Sequence, residues 1–204
     1  IEICNAFIKD KDLNHDSIKS AAEKLKSEGA QVFVASEAFG VDDMSAEQQI
    51  YDVTKGEMGM ETSIASDITK LYGLTRRTRT AAINASILPK MLNTANQTEQ
   101  SVRGAGVKVP LMIMRGDGGV MEINEMKKRP VLTMLSGPAA SVMGSLMYLR
   151  ASNGVYFEVG GTTTNIGVIK NGRPAIDYSV VGGHRTYITS LDVRVLGVAG
   201  GSMI

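Results

Sequence analysis

Apolar and polar positions fall into two rhythms along this chain. The first eight residues, mostly apolar, predict a strand. Ile18, Ala21, Ala22 and Leu25 then recur at helical spacing, with Asn14 placed to cap the helix and Gly29 just past its end. Residues 31–35 read as a short buried strand. Ser45-Ala46-Glu47-Gln48 has the capping-box form S-x-x-Q and predicts a helix with Ile50 and Val53 facing inward, ending near Gly56. This βαβα order implies parallel strands with helices packed across them. Residues 74–102 predict one long helix, kinked at Pro89, whose small residues Ala81, Ala82, Ala85 and Ser86 allow another element to approach closely.

Beyond residue 109 the texture changes, and apolar runs alternate with glycine clusters. Residues 109–114 lead into Arg115-Gly116-Asp117-Gly118-Gly119, and 131–135 lead into Ser136-Gly137-Pro138-Ala139-Ala140. The latter turn opens a helix through Val142, Leu146 and Leu149, and a helix N-terminus attracts anions. Residues 154–157 read as a buried strand leading into Glu158-Val159-Gly160-Gly161-Thr162-Thr163-Thr164-Asn165. Bare backbone N–H groups at the glycine pair can approach an anion, and the threonine hydroxyls can donate to it. Residues 166–170 return to Asn171-Gly172, a pair suited to a two-residue type I′ turn. Gly182-Gly183-His184 and the cluster 197–202, with Gly200-Gly201-Ser202 at its end, complete the set. Glycine loops converging beyond strand ends would form a phosphate cradle.

Composition narrows the partners. Twenty-two basic and 21 acidic residues leave a formal charge of +1 over 204 residues, with no run of five basic residues, which argues against nucleic acid and against a polybasic membrane anchor. No apolar stretch reaches membrane-spanning length, so a cytoplasmic protein acting on a small polar ligand is expected. Cys4, the single cysteine, sits in an apolar run and is expected to be a buried structural thiol. The methionines, Met112 and Met114 among them, read as core filling. The chain starts without methionine and stops after a glycine cluster, the look of an internal segment.

The ordered set Ser136-Gly137-Pro138, Gly160-Gly161-Thr162-Thr163-Thr164, Gly182-Gly183 and Gly200-Gly201-Ser202 resembles the signatures of the hydantoinase/oxoprolinase family. Arg79 to Ala85 followed by Leu88-Pro89 is similar to that family's Asn-Ala helix, and Asp117-Gly118-Gly119 to its glycine loop. The resemblance implies an α/β actin-like ATPase (ribonuclease H-like) fold, a mixed sheet with flanking helices, incomplete here relative to the family. Residues 1–108 would be the end of the family's N-terminal region and 109–204 the start of its glycine-loop domain. ATP and Mg²⁺ are the implied cofactors. The implied reaction is phosphorylation that opens a cyclic amide of hydantoin or 5-oxoproline type, within a larger protein or beside a further subunit.

The resemblance assigns cofactor binding to Asp117, Gly118, Gly119, Ser136, Gly137, Gly160, Gly161, Thr162, Thr163, Thr164, Gly200, Gly201 and Ser202, and the metal to Glu158. Glu158 and Asn165 take the catalytic positions, where the family usually has Asp. Glu carries its carboxylate about an ångström further out, and Asn keeps hydrogen bonding without charge. Two other readings stay open: a non-catalytic subunit that keeps the fold, and a small-molecule kinase of the same superfold. Taken singly, a Gly-Gly pair is an ordinary turn, Asp117 supplies turn chemistry, His15 is exposed, and His184 is a structural or solvent-facing imidazole.

Overall fold

Asn14 caps the first helix as the sequence requires. Its side chain accepts the Ser17 N–H at 3.0 Å while Ser17 Oγ accepts the Asn14 N–H at 3.1 Å. In the computed structural model, which describes residues 2–150 and 152–203, helix α1 spans His15–Ser27 and buries Ile18 and Ala22. Strand β1 (Phe33–Ala35) follows, then α2 (Ser45–Tyr51), which continues as a π-helical stretch, Asp52–Glu57. Strand β2 (Thr62–Ile64) pairs with β1 in parallel, Phe33 opposite Thr62, so the parallel partner of β1 comes after α2 and not from the first eight residues.

Helix α3 (Ala65–Ile68) leads to α4 (Leu74–Gly104), which runs through Pro89 as a single helix. The fully buried Ala81 packs with Ala65, Ile68, Val131 and Ile188, and Ala95, further along α4, packs with Met121, Ile123 and Met126. Asn84 joins three elements from the buried face of α4. Its amide donates to Ser63 Oγ and the Lys128 carbonyl, and its carbonyl accepts the Val131 N–H. At the start of α4, Arg76 lies 4.2 Å from the ring centroids of both Tyr178 and Tyr187 and donates to the Thr186 carbonyl.

The C-terminal part contains β3 (Met112–Met114), β4 (Val120–Glu122), α5 (Ile123–Lys128), a 3₁₀ turn (Pro130–Thr133) and α6 (Ser136–Leu149). Six strands follow: β5 (Gly154–Val159), β6 (Thr164–Lys170), β7 (Arg173–Pro174), β8 (Ile176–Val181), β9 (His184–Leu191) and β10 (Val193–Leu196). Asn171 and Gly172 have φ of 52° and 71°, both positive as a type I′ turn demands. Strands β10, β6 and β5 form one antiparallel sheet in that order with β7 at the side, while β1-β2, β3-β4 and β8-β9 are separate pairs. Ala139 and Val142 of α6 pack with Leu191 and Tyr156, so α6 covers one face of the sheet.

Several expectations are corrected. Residues 2–9 form neither strand nor helix, and Ile3, Phe7 and Cys4 are exposed. An apolar run becomes a strand only where a neighbour pairs with it, and among the described residues none does. Ile1 of that run, with Ala151 and Ile204, lies outside the described residues. The run 131–135 coils into the 3₁₀ turn and its exit. The capping box of α2 does not form: Met44 is the cap residue, Ser45 donates its N–H to Asp43, and Gln48 bonds Asp52. Glu47 is instead fully buried, its oxygens accepting the N–H groups of Glu37 and Ser66 at 2.8 and 2.9 Å. Met112 is exposed rather than core. Strand β5 is not buried on both faces, since Val155, Phe157 and Val159 are 58–65% exposed.

Candidate phosphate-binding site

Strand β5 runs back along α6, and this antiparallel return decides which loops meet. Leu146 and Leu149, near the end of α6, line a groove with Gly154 and Val155 at the start of β5. Ser141, in the first half of α6, meets Glu158 near the end of β5. The N-terminus of α6 at Ser136-Gly137 therefore lies toward the same end as the glycine–threonine turn. Ser136 precedes Ser141 by five residues, about 7.5 Å along the helix axis. Leu135, the residue before the helix, has φ of 59° and supplies no side-chain cap, so among the described residues no side chain caps the helix-terminal donors.

The turn itself is shaped by its glycines. Gly160 N–H bonds the Thr163 carbonyl at 3.0 Å and closes the loop. The 197–202 loop docks against it: Gly200 and Gly201 donate to the carbonyls of Gly160 and Gly161 at 3.1 and 2.8 Å. A Cβ on Gly201 would come within 2.6 Å of the Gly161 oxygen, so this approach requires glycine. Thr164 Oγ1 donates to the Val198 carbonyl at 2.6 Å, and Ser202 Oγ accepts the Ala199 N–H. Gly160, Thr164, Gly200, Gly201 and Ser202 are thus brought together as scaffold. Among the described residues no protein group takes the N–H groups of Gly161, Thr162 and Thr163 or the hydroxyls of the two threonines, and all three residues are exposed. The tip is rich in free donors.

Glu158 and Asn165 face each other in the β5–β6 register. Asn165 Nδ2 donates to Glu158 Oε2 at 3.0 Å, and Ser141 Oγ donates to Glu158 Oε1 at 2.8 Å. Each carboxylate oxygen keeps a second acceptor direction. Among the described residues no three His, Cys, Asp or Glu side chains gather as a metal cluster. A single carboxylate suits a hydrated Mg²⁺ held chiefly by phosphate oxygens, not an all-protein cage.

Asp117, Gly118 and Gly119 sit on the other flank of α6. Gly118, with φ of 86°, lies beside Met143, where an added Cβ would stand 3.1 Å from the sulfur. Asp117 accepts the Gly119 N–H at 3.0 Å and pairs with Arg115. Its oxygens therefore hold the turn. Gly116 is more constrained: a Cβ there would fall 1.8 Å from the Met134 carbonyl. His184 is the exposed first residue of β9, opposite Val181 and just after Gly182 and Gly183 at positive φ. His15 is exposed as expected, and it also bonds Glu57 at 2.9 Å and Asp16 at 3.2 Å, which together hold its imidazole above its ordinary pKa. Ser141 escaped notice because only the pairing of α6 with β5 gives it a partner.

A mixed α/β chain with these loops has counterparts of known structure. Its fold matches an acetone carboxylase in the nucleotide-free state, the subject of a study of ATP-dependent acetone carboxylation, with a TM-score of 0.76 and 19% identity over 91% of this chain and 27% of that one. It also matches an ATP-dependent caprolactamase from Pseudomonas jessenii, with a TM-score of 0.73 and 22% identity over 91% of this chain and 28% of that one. The chain belongs to the hydantoinase/oxoprolinase family, whose model matches residues 77–204, more than half of it. An uncharacterised protein of Methanocaldococcus jannaschii is 27% identical over 83% of this chain and 26% of its own length. The acetophenone carboxylase gamma subunit of Aromatoleum aromaticum is 24% identical over 94% of this chain and 27% of its own length. The chain spans about a quarter of the length of these relatives. Among the described residues no helix is long and apolar enough to cross a membrane.

Proposed function

We propose that this chain forms one side of an ATP-binding site in an actin-like ATPase fold, within a protein that opens a cyclic amide through phosphoryl transfer. One observation carries the reading: the uncapped N-terminus of α6, the Glu158 carboxylate and the unpartnered donors of Gly161, Thr162 and Thr163 lie toward the same end of one helix–hairpin unit. Oriented N–H and O–H donors beside a helix N-terminus suit phosphate oxygens, and charge stabilisation by such donors is the main demand of phosphoryl transfer. Mg²⁺ would arrive with the nucleotide, and Glu158 would accept hydrogen bonds from its waters. The relatives described as ATP-dependent support the choice of nucleotide. Asp117 and Ser202, bound up in their own turns, would act as scaffold.

A non-catalytic subunit of a hydrolase or carboxylase complex is the second reading. The open apolar face of Val155, Phe157 and Val159 favours a covering partner or further polypeptide. The test uses the intact protein carrying this chain, MgATP, and hydantoin, 5-oxoproline and a lactam in parallel. The first reading expects phosphate release that depends on one of these rings, with an equal amount of ring-opened acid by mass spectrometry. Absence of phosphate release with every ring contradicts it and favours the second reading.

A further inference from the structure

Ser141 Oγ lies 2.8 Å from Glu158 Oε1 and 3.4 Å from the Gly137 carbonyl one turn back in α6. A hydroxyl has one proton to donate, and the shorter contact takes it. We propose that Ser141 is a positioning residue that holds the Glu158 carboxylate in place for phosphoryl transfer, an inference that rests on the reading under Proposed function.

The geometry separates two anchors with different origins. Asn165 holds Oε2 from the neighbouring strand, inside the sheet, whereas Ser141 holds Oε1 from the helix that begins at Ser136-Gly137. A glutamate attached at one oxygen still turns about its terminal bond. Attached at both, it has a fixed plane, and its two remaining acceptor directions are fixed with it. Ser141 also ties the carboxylate to the helix N-terminus, so the group meant to orient a water and the donors meant to hold phosphate share one frame. Displacements of about an ångström in such frames cost as much as a hundredfold in rate.

Ser141 is exposed, whereas the burial that holds α6 belongs to Ala139 and Val142. Ser141→Ala therefore removes the anchor and leaves the packing intact. The experiment compares steady-state MgATP turnover, in the presence of hydantoin, 5-oxoproline or a lactam, and thermal midpoint for the intact wild-type protein, Ser141→Ala and Ser141→Thr. Ser141→Ala is expected to lower kcat about tenfold with the KM for MgATP changed less than about twofold and the midpoint unmoved, and Ser141→Thr, which retains the hydroxyl, to recover most of the rate. Wild-type turnover in Ser141→Ala, a change confined to KM, or failure of Ser141→Thr to recover more than Ser141→Ala overturns the role of Ser141 alone. No MgATP turnover by the unsubstituted protein overturns the phosphoryl-transfer reading, and the role with it.

Discussion

The Asn165 side-chain amide donates to the Glu158 carboxylate at 3.0 Å across one register pair of the β5–β6 hairpin. Glu158 and Asn165 are therefore one matched donor–acceptor pair. A carboxylate at 165 would face a carboxylate at 158. Asn165→Asp alone is expected to destabilise the protein by about 1–2 kcal/mol, from cross-strand repulsion and the lost bond. Adding Glu158→Gln puts an amide back opposite a carboxylate and is expected to recover most of that loss. Denaturant unfolding of the three proteins checks this, and a single variant as stable as wild type would show that the pairing is incidental.

Gly201 is set by contact rather than by backbone dihedral. Gly201→Ala places a Cβ 2.6 Å from the Gly161 carbonyl and must push the two loops apart. The expected cost is about 1–3 kcal/mol, with faster amide exchange at residues 160–163 than in wild type. Gly161→Ala, with nothing within 4 Å of its added Cβ, is the matched control and should leave exchange nearly unchanged.

Asn84 of α4 makes three hydrogen bonds from a fully buried site, to β2, to the end of α5 and to the 3₁₀ turn that follows. Asn84→Ala leaves the Val131 N–H without its acceptor and opens a void, and it is expected to cost about 3 kcal/mol in a denaturant melt. Ser86→Ala, two residues on and exposed, should stay within about 0.5 kcal/mol of wild type.

His15 carries a pH dependence whose sign follows from its partners. Bonds to Glu57, and then to Asp16, raise its pKa in the folded protein. Its contribution is fully present below the unfolded value of about 6.5 and is lost as pH rises through the raised folded value. Wild type should therefore exceed His15→Gln in stability near pH 6 and match it by about pH 9. Denaturant midpoints at the two pH values measure the difference, and a gap that widens with pH would contradict the assignment.

Local chemistry was legible in the sequence where it decides structure alone. Asn14 caps α1, and Asn171-Gly172 closes a turn that only residues tolerant of positive φ can make. Residues whose state depends on distant partners were not legible. Glu47 looked like part of a helix cap, yet it is buried because two backbone N–H groups, one of them 19 residues away, converge on it. The apolar strand β5 looked buried on both faces, but α6 covers one alone. At the site, the glycine and threonine positions were readable as an ordered set. The division between scaffold donors at Gly200 and Gly201 and free donors at Gly161 to Thr163 emerges only from the docking of two loops 40 residues apart.

Calorimetric titration of MgATP into the intact protein and into its Thr162→Ala/Thr163→Ala variant tests the phosphate-binding tip most directly. Saturable binding is expected in wild type, weakened about tenfold or more when both hydroxyls are removed. Absence of binding at millimolar MgATP, or equal affinity in the two proteins, would contradict the assignment of the tip as the phosphate site.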